Sequence, residues 1–342
     1  MKTYKIQAPF KISVEESDLQ PLSGHDVLVK VTNIGLCGSD LHLYDGKYNG
    51  PSRYPIQFGH EWAGIVESVG DEVSDFQPGD KVTGDCSRYC GHCENCFVDR
   101  NLCKHIEKFG ITIDGASAEY IVRDRKYLYK ADPTIDLKLL SLTEPIAVAK
   151  HMIEKIVSLT GNPSKKKILI YGAGPIGQSV LLMLTDLFGC TDVEIYDLQL
   201  YRLNFALMHG ARKASLSDID VTEKKDYASL YQTAQYDMII ETTGSSNVLA
   251  DAISLLKPFG ILGCLGMAQT ATIPQSQIVT KSLLIVGTIG GTGEFEDVIE
   301  YIRTHPEKVS RLISHQFPIV EAEKAFAVAL AGKDIMKVNL TL

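Results

Sequence analysis

The spacing of apolar positions changes about halfway along the chain. Through residues 1–145, short runs of alternating apolar and polar residues recur between Gly, Pro and Asp, most clearly at 26–34. Such alternation is typical of strands that bury one face, and runs at this spacing predict a compact, barrel-like β domain. Through residues 166–284, short apolar runs alternate with helical segments instead. That order predicts a parallel sheet with right-handed crossovers.

The second half opens with a strand, a glycine-rich turn and a helix. The apolar run 167–171 precedes Gly172-Ala-Gly174-Pro175-Ile176-Gly177, and apolar residues at helical spacing follow as far as Gly189. A second strand ends on Asp197, twenty residues after the last glycine of the turn. The glycines alone could be ordinary turn residues. Strand, helix and acid in this order instead indicate a dinucleotide-binding βαβ unit.

Each part of this unit has a physical task. Gly172 allows the tight turn, Gly174 lets a pyrophosphate approach the backbone, and Gly177 lets the helix pack closely on the strand. The helix N-terminus offers free N–H groups to the phosphates. Asp197 can accept hydrogen bonds from the ribose hydroxyls of NAD and would repel the 2′-phosphate of NADP. We therefore expect NAD as the cofactor, although Asp197 could also cap the following helix.

The remaining apolar segments complete the second domain and then return to the first. Further strands are predicted at 236–241, 260–265 and 282–290, helices at 139–159, 294–304 and 320–331, and a tail strand at 336–340. We expect this tail to rejoin the β-rich domain. The predicted domains are therefore 1–147 with 285–342, and 148–284.

Composition and charge narrow the classes of function. The chain has 342 residues, enough for two cores, and a net charge of −8, which argues against a nucleic-acid or membrane-surface partner. The N-terminal residues contain no apolar signal-peptide region, and no apolar run approaches the ~20 residues that span a bilayer. We expect a cytoplasmic protein.

Four of the eight cysteines lie within fourteen residues: Cys90, Cys93, Cys96 and Cys103. Close Cys-x-x-Cys spacing lets one loop supply the four soft ligands of a closed zinc tetrahedron. Free cysteines or a redox pair are the alternatives, and His92 could compete as a ligand. We predict a structural zinc site, which has no open position for chemistry.

A second set of possible ligands is spread more widely. Cys37 opens the run Cys37-Gly-Ser39-Asp40, the pair His60-Glu61 follows, and Glu144 begins the helical region. A cysteine, a histidine and a carboxylate would give zinc three protein ligands and leave one position for water or substrate. Taken singly, each residue is ordinary, and the spacing alone does not decide between a site and unrelated residues.

Taken in order, these motifs resemble the zinc-dependent medium-chain alcohol dehydrogenase family, and within it the polyol (sorbitol) and threonine dehydrogenase branch. The resemblance covers essentially the whole chain. It implies an α/β protein with a GroES-like catalytic domain, a Rossmann domain with a doubly wound parallel sheet, and an active site in the cleft between them. It also implies a homodimer or homotetramer acting on a small-molecule alcohol or ketone.

By position, the resemblance implies that Cys37, His60 and Glu61 are ligands of a catalytic zinc ion. Glu144 matches a nearby carboxylate that ligates zinc directly or through water. No cysteine lies between Cys103 and Cys190, so carboxylates must replace the second cysteine of other branches. This favours the polyol-like branch.

The resemblance also implies a route for protons and further cofactor contacts. Ser39 and His42 match a hydroxyl-to-histidine relay, although His42 could be an ordinary surface histidine. Asp40 could orient a metal ligand or cap a turn. Cofactor contacts are implied at the glycine turn and at strand ends: Pro175, Ile176, Arg202, Thr243, Leu265, Gly266, Met267, Thr288 and Ile289.

The predicted activity is hydride transfer between a secondary alcohol, such as a polyol or sugar alcohol, and NAD, with one catalytic and one structural Zn²⁺. A threonine or short-chain diol dehydrogenase is the alternative, and a non-catalytic zinc-binding module is a remote one. Threonine dehydrogenases commonly have Asp-Pro where this chain has Glu144-Pro145, and the last gap of the cysteine cluster is one residue shorter than usual. Tyr44, Lys47, Arg53 and Phe58 are candidates for the substrate pocket.

Overall fold

The computed structural model describes residues 1–19, 21–216 and 231–342, which divide into two compact units. The first comprises Met1–Ala147 and Gly290–Leu342, and the second comprises Val148–Ile289. The predicted α/β fold class is confirmed, with mainly antiparallel sheets in the first unit and a parallel sheet in the second. Within the described ranges, no helix is long and apolar enough to cross a membrane.

The first unit contains mainly short, twisted strands. Its elements are β1 (Lys2–Ala8), β2 (Lys11–Glu16), β3 (Asp26–Gly35), α1 (Gly38–Tyr44), β4 (Ile56–Gln57), β5 (Glu61–Val69), β6 (Lys81–Gly84), β7 (Ser87–Arg88), β8 (Glu107–Lys108), β9 (Tyr120–Asp124), β10 (Leu128–Ala131), α2 (Leu137–Leu140) and the start of α3 (Thr143–Thr160). After the second unit come α8 (Phe295–Thr304), α9 (Pro306–Ser310), β17 (Ile313–Pro318), α10 (Ala322–Ala331) and β18 (Lys337–Thr341).

The strands of the main antiparallel sheet bring distant parts of the chain together. Its order is β10-β6-β5-β3-β18-β17, with β9 also pairing with β3. The tail strand β18 therefore lies beside β3, with Leu340 opposite Ile34. Because β3 is central and packs on both faces, its residues from Val27 onward are mostly buried.

An aromatic cluster fills part of the core of the first unit. The Phe326 ring lies 4.5 Å from the Tyr44 ring and 5.1 Å from the Phe58 ring, measured between centroids. Tyr44 and Phe58 are almost fully buried there. Both side chains pack in the core of this unit, and their place in a substrate pocket stays a prediction.

The second unit is a parallel sheet with helical connections. Its elements are β11 (Ile168–Tyr171), α4 (Pro175–Leu182), β12 (Val193–Tyr196), α5 (Leu200–Met208), β13 (Arg212–Lys213), β14 (Tyr236–Glu241), α6 (Ser246–Leu255), β15 (Leu256–Cys264), α7 (Gln275–Thr280) and β16 (Leu284–Gly287). The sheet order is β13-β12-β11-β14-β15-β16. The central strands read as uninterrupted apolar runs because both of their faces are covered.

Two strand boundaries of the second unit differ from the prediction. β15 begins at Leu256 rather than at residue 260, and β16 ends at Gly287 rather than at residue 290. The residues before 260 include Pro258 and Phe259, which has a positive φ of 61°. They resemble a turn in sequence but form an irregular step where the register with β14 shifts.

A buried polar cluster in the first unit links the segment after β6 to the start of the C-terminal segment. Asp85 is 2% exposed, and its oxygens accept hydrogen bonds from the Thr292 hydroxyl at 2.9 Å and the Tyr129 hydroxyl at 3.2 Å. The Thr292 N–H in turn donates to Asn101 Oδ1 at 3.3 Å. Burial raises the pKa of Asp85 to about 7, against the opposing effect of these hydrogen bonds.

We expect Asp85→Asn to remove the pH-dependent contribution that Asp85 makes to the free energy of unfolding. Between the ordinary pKa of 3.8 and about 7, the folded chain holds a proton that the unfolded chain has lost. Stability from this group is therefore present at low pH and lost as the pH rises through about 7. Urea unfolding measures the free energy of unfolding of both proteins. The value for the variant minus the value for the parent should rise by about 1 to 2 kcal/mol from about pH 5 to about pH 7. A difference that stays constant over this range would contradict the assignment.

Candidate active site and metal centres

Strand pairing brings the widely spaced metal-ligand candidates together. β3 ends at Gly35, which lies directly opposite Glu61, the first residue of β5. Cys37 follows β3 by two residues and precedes the first turn of α1, while His60 immediately precedes β5. The antiparallel pairing of two strands thus places both turns at the same edge of the sheet.

Cys37, His60 and Glu61 form a compact group of possible ligands. One ligand atom from each lies within 4.8 Å of the other two. His60 and Glu61 are buried, and Cys37 is half-buried. A thiol, an imidazole and a carboxylate form a donor set that zinc prefers.

Asp40 lies behind this group and faces His60. It is fully buried, and it accepts hydrogen bonds from the backbone N–H groups of Cys37 at 2.9 Å and Gly59 at 3.1 Å. Its Oδ1 is 3.9 Å from His60 Nδ1, a buried atom that has no hydrogen-bond partner among the described residues. Such an orphaned nitrogen beside a carboxylate fits a histidine that binds a metal through its other ring nitrogen.

The groups around His60 can carry negative charge, so they would stabilise a positive charge at this position. Burial alone would lower the pKa of His60, but Asp40 and the Cys37 thiol raise it well above its usual value. Burial raises the pKa of Glu144, and the charge of Glu61 adds to this effect. Glu144 lies in the first turn of α3, close enough to interact with His60 and Glu61. It is not part of the compact three-residue group.

Lys337 was not identified from the sequence, although it touches this group directly. Its Nζ lies 2.7 Å from both Glu61 oxygens and 3.2 Å from the carbonyl oxygen of Leu36. A lysine between the apolar residues Met336 and Val338 of the tail was a sequence feature that could have indicated a buried ion pair. Its partner is set by long-range pairing and could not be deduced locally.

The proposed proton relay lies on α1. Ser39 is half-buried, whereas His42 is exposed and its Nδ1 lies 3.9 Å from Asp45 Oδ1. Because the two residues are three apart in a helix, they lie on the same face. The helix therefore carries a half-buried hydroxyl and a solvent-exposed imidazole on one face.

Tyr48 is a second residue that the sequence did not single out. It is half-buried, and burial raises its pKa while His60, Cys37 and Asp40 act on its hydroxyl electrostatically.

The two cationic residues that were candidates for the substrate pocket form ion pairs with carboxylates. Lys47 lies 2.9 Å from Asp45, and Arg53 lies 3.0 Å from Asp114.

The four clustered cysteines have the geometry of a closed zinc site. Four of the six Sγ–Sγ separations among them run from 3.4 to 3.9 Å. A tetrahedron with Zn–S bonds of about 2.3 Å has edges of about 3.8 Å. Backbone N–H groups of Cys90 and His105 also donate to Cys103 Sγ, each at 3.3 Å.

The cysteines also form most of the core of their loop. They pack with Tyr89, Tyr127 and Ile106 in a small cluster of buried and half-buried residues. A backbone N–H of Lys104 lowers the pKa of Cys93 to about 6, whereas desolvation and the Cys93 thiol raise that of Cys96 to about 12. His92 is exposed, with its Nδ1 3.1 Å from the carbonyl oxygen of Cys90.

The glycine turn of the second unit has the predicted shape. Gly172 follows β11 with a φ of +95°, which favours glycine. A Cβ at Gly177 would lie 1.8 Å from the Gly172 carbonyl oxygen, so any larger residue would separate the helix from the strand. Gly174 caps α4, which begins at Pro175 and Ile176. Among the described residues, a Cβ at Gly174 would lie within 4 Å of Arg202 Nη1 alone, at 3.6 Å.

Asp197 lies directly after β12 and is anchored to the backbone. Its Oδ2 accepts from the N–H of Ala173 at 2.7 Å, and its Oδ1 accepts from the N–H of Gln199 at 2.8 Å. The carboxylate thus ties the end of β12 to the glycine turn and to the start of α5. Each oxygen can accept a further hydrogen bond, so this role is compatible with ribose binding.

The other predicted cofactor contacts lie at the same edge of the parallel sheet. They follow the carboxyl ends of β14, β15 and β16: Thr243, Leu265, Gly266, Met267, Thr288 and Ile289. Met267 and Ile289 are exposed, and a Cβ at Gly266 would lie 2.1 Å from the Gly244 nitrogen. In open parallel sheets this edge is where ligands bind.

Comparison with known proteins agrees with this arrangement. Residues 23–133 match the alcohol dehydrogenase GroES-like domain, and residues 138–342 match the glucose dehydrogenase C-terminus. The L-threonine 3-dehydrogenase of Paraburkholderia phymatum is 31% identical over 322 residues, which cover 92% of each chain.

Two solved structures share the whole fold. A short chain alcohol dehydrogenase of E. coli CFT073, complexed with NADH, is 27% identical with a TM-score of 0.87. A protein described as a zinc-binding dehydrogenase from Sinorhizobium meliloti, bound to NADP, is 28% identical with the same TM-score. Each covers 100% of this chain, which covers 99% of each of them. The chain belongs to the zinc-dependent medium-chain alcohol dehydrogenase family.

Proposed function

We propose that this protein is a dehydrogenase that uses zinc to transfer a hydride between a secondary alcohol and NAD. The convergence of Cys37, His60 and Glu61 in buried, electronegative surroundings carries this proposal. Bound zinc would lower the pKa of the substrate hydroxyl, and NAD would accept the hydride. Three protein ligands would leave one position for the substrate oxygen.

The surrounding residues would orient the ligands and move the proton. Asp40 would fix the ring of His60 through Nδ1, because a carboxylate behind a ligating histidine sets its tautomer and direction. Ser39 would pass the substrate proton toward His42, whose exposed ring can exchange it with solvent. Glu144 would be a further carboxylate for the metal, directly or through water.

The same proposal assigns binding roles to the second unit and to the cysteine loop. The turn Gly172–Gly177 and the start of α4 would bind the pyrophosphate, and Asp197 the adenosine ribose. Arg202 and the strand-end residues would contact the rest of the cofactor. Cys90, Cys93, Cys96 and Cys103 would hold a structural zinc ion. We propose residues 1–147 with 285–342 as the catalytic domain and 148–284 as the NAD-binding domain.

The substrate class is a polyol or a sugar-derived alcohol, with threonine or a short diol as the second candidate. Pairing of Lys47 and Arg53 with carboxylates disfavours a role for them in holding an anionic group. The threonine candidate is supported by the 31% identical relatives, which are L-threonine 3-dehydrogenases. We also propose a cytoplasmic homo-oligomer, because none of the eight cysteines forms a disulfide, which suits a reducing compartment, and because the family implies assembly.

We expect the purified protein to form NADH with at least one secondary alcohol from a panel of polyols, 2,3-butanediol and L-threonine. Absorbance at 340 nm would measure the rate. His60→Ala should abolish turnover by removing a ligand while keeping zinc at the cysteine loop. Tight binding of NAD without turnover of any alcohol would contradict the catalytic proposal and favour a binding module.

We expect two zinc ions per subunit, which differ in how readily they leave. A chelator should remove the ion held by three ligands without unfolding, whereas the ion held by four thiolates should leave only when its loop opens. Metal analysis before and after chelation, with circular dichroism as the fold control, checks this. A single zinc ion in the untreated protein would show that one of the two assignments is wrong.

We expect a preference for NAD over NADP of about a hundredfold in kcat/KM. The 2′-phosphate would bring roughly two negative charges to Asp197, and repulsion in a partly desolvated site costs several kcal/mol. Asp197→Ser should narrow or reverse the preference. Asp192→Ser is a matched control, because Asp192 precedes the same strand at its other end and pairs with Arg212. Equal kcat/KM for both cofactors in the parent would show that Asp197 does not face the ribose.

A further inference from the structure

Glu241 is a buried carboxylate at the ligand-binding edge of the parallel sheet. It is the last residue of β14 and is 1% exposed. Its Oε1 accepts hydrogen bonds from the backbone N–H groups of Thr243 at 2.6 Å and Gly244 at 3.0 Å, and from the Thr243 hydroxyl. These donors hold one oxygen of the carboxylate against the turn that follows the strand.

No cation balances this charge within the part of the chain that the structure describes. There, Glu241 forms no ion pair with a lysine, arginine or histidine, and no donor contacts its Oε2. Buried charges are normally paired, because burying an isolated ion is costly. The Cys264 thiol responds to the charge, since burial and then Glu241 raise the pKa of Cys264 to about 11. A cation that binds beside Glu241 would therefore be stabilised.

The carboxylate packs against a residue that is proposed to contact the cofactor. Gly266 follows β15, the neighbouring strand, and its N–H donates to the carbonyl oxygen of Glu241 at 3.2 Å. A Cβ at Gly266 would lie 2.5 Å from Glu241 Oε2. The carboxylate thus fills the space that a side chain at Gly266 would need, so no side chain of that residue separates the charge from the cofactor site.

The strand order indicates which half of the cofactor would lie here. In the proposed function, Asp197 after β12 binds the adenosine ribose, and the turn Gly172–Gly177 after β11 binds the pyrophosphate. The sheet order places β14 and β15 on the other side of β11 from β12. A dinucleotide that crosses this edge would therefore bring its nicotinamide half over the ends of β14 and β15.

We propose that Glu241 is a specificity-determining residue whose buried charge favours binding of NAD⁺, the oxidised cofactor, over NADH. This rests on the proposed function, in which the chain binds NAD. The oxidised nicotinamide ring carries one positive charge, which NADH lacks. In a partly desolvated site, attraction to Glu241 stabilises only the charged ring. The pyrophosphate and adenosine are common to both forms, so their interactions with Glu241 cancel in the ratio of the two dissociation constants.

The test compares cofactor binding to the parent and to Glu241→Gln, which keeps the shape and an acceptor oxygen but loses the charge. Calorimetric titration gives the Kd of NAD⁺ and of ADP-ribose, and cofactor fluorescence gives the Kd of NADH. In Glu241→Gln, the Kd of NAD⁺ divided by that of NADH should rise at least about fivefold, because the Coulomb energy of two unit charges several Å apart exceeds this factor at an effective dielectric constant of about 20. The Kd of ADP-ribose, which lacks the nicotinamide ring, should not rise with that of NAD⁺.

Asp237→Asn is the matched control. It removes a carboxylate near the start of the same strand, where Asp237 pairs with Lys257 at 3.0 Å. Four strand residues place it about 13 Å from Glu241, so the ratio should stay close to the parent value. Thermal melting controls for folding. If Glu241→Gln yields no folded protein, Glu241→Ser replaces it, because a hydroxyl and a bound water can accept the hydrogen bonds of Thr243 and Gly244.

Two failures are distinguishable. A Kd ratio that is unchanged in the folded variant, whether or not all three ligands bind more weakly, would show that Glu241 only stabilises its turn and would overturn this inference alone. A parent protein that binds none of NAD⁺, NADH and ADP-ribose would instead overturn the proposed cofactor, and with it this inference.

Discussion

The antiparallel pairing of β3 with its two neighbours is the constraint on which the proposed catalytic site depends. It places Gly35 between Glu61 and Asn339, so three segments far apart in sequence meet at one edge of the sheet. Because successive side chains alternate between faces, a slip of one residue would turn Glu61 and Lys337 away from each other. The chemistry of the site therefore depends on the register that the buried faces of these strands enforce.

The two candidate metal centres show that a site can be predicted from sequence more readily when its residues are close together along the chain. The cysteine loop and the glycine turn could be identified directly, because residues a few positions apart supply all of their essential groups. The group at Cys37 needed the family resemblance, since α1, a loop and β4 separate Cys37 from His60. Lys337 and the Asp85–Thr292 contact were missed because partners 276 and 207 residues away create them.

Aromatic and cationic residues near a motif were the least predictable. Tyr44 and Phe58 were predicted to line a substrate pocket because aromatic side chains suit a sugar alcohol, and the sequence did not indicate that both pack on Phe326 of α10. Tyr48 interacts electrostatically with His60 and Cys37, but nothing in its position along the sequence indicated this. Which face of an irregular loop is buried depends on what packs against it, and here that is a helix near the other end of the chain.

The functional carboxylates differ in how they are held, and this difference follows their proposed tasks. Asp40 and Asp197 are each anchored by two backbone N–H groups. Backbone anchors fix a carboxylate before any ligand arrives, which suits groups that orient a histidine or a ribose. Glu61 is held by a side-chain cation instead. An ammonium on a flexible four-carbon stem fixes a carboxylate less rigidly than two backbone amides do.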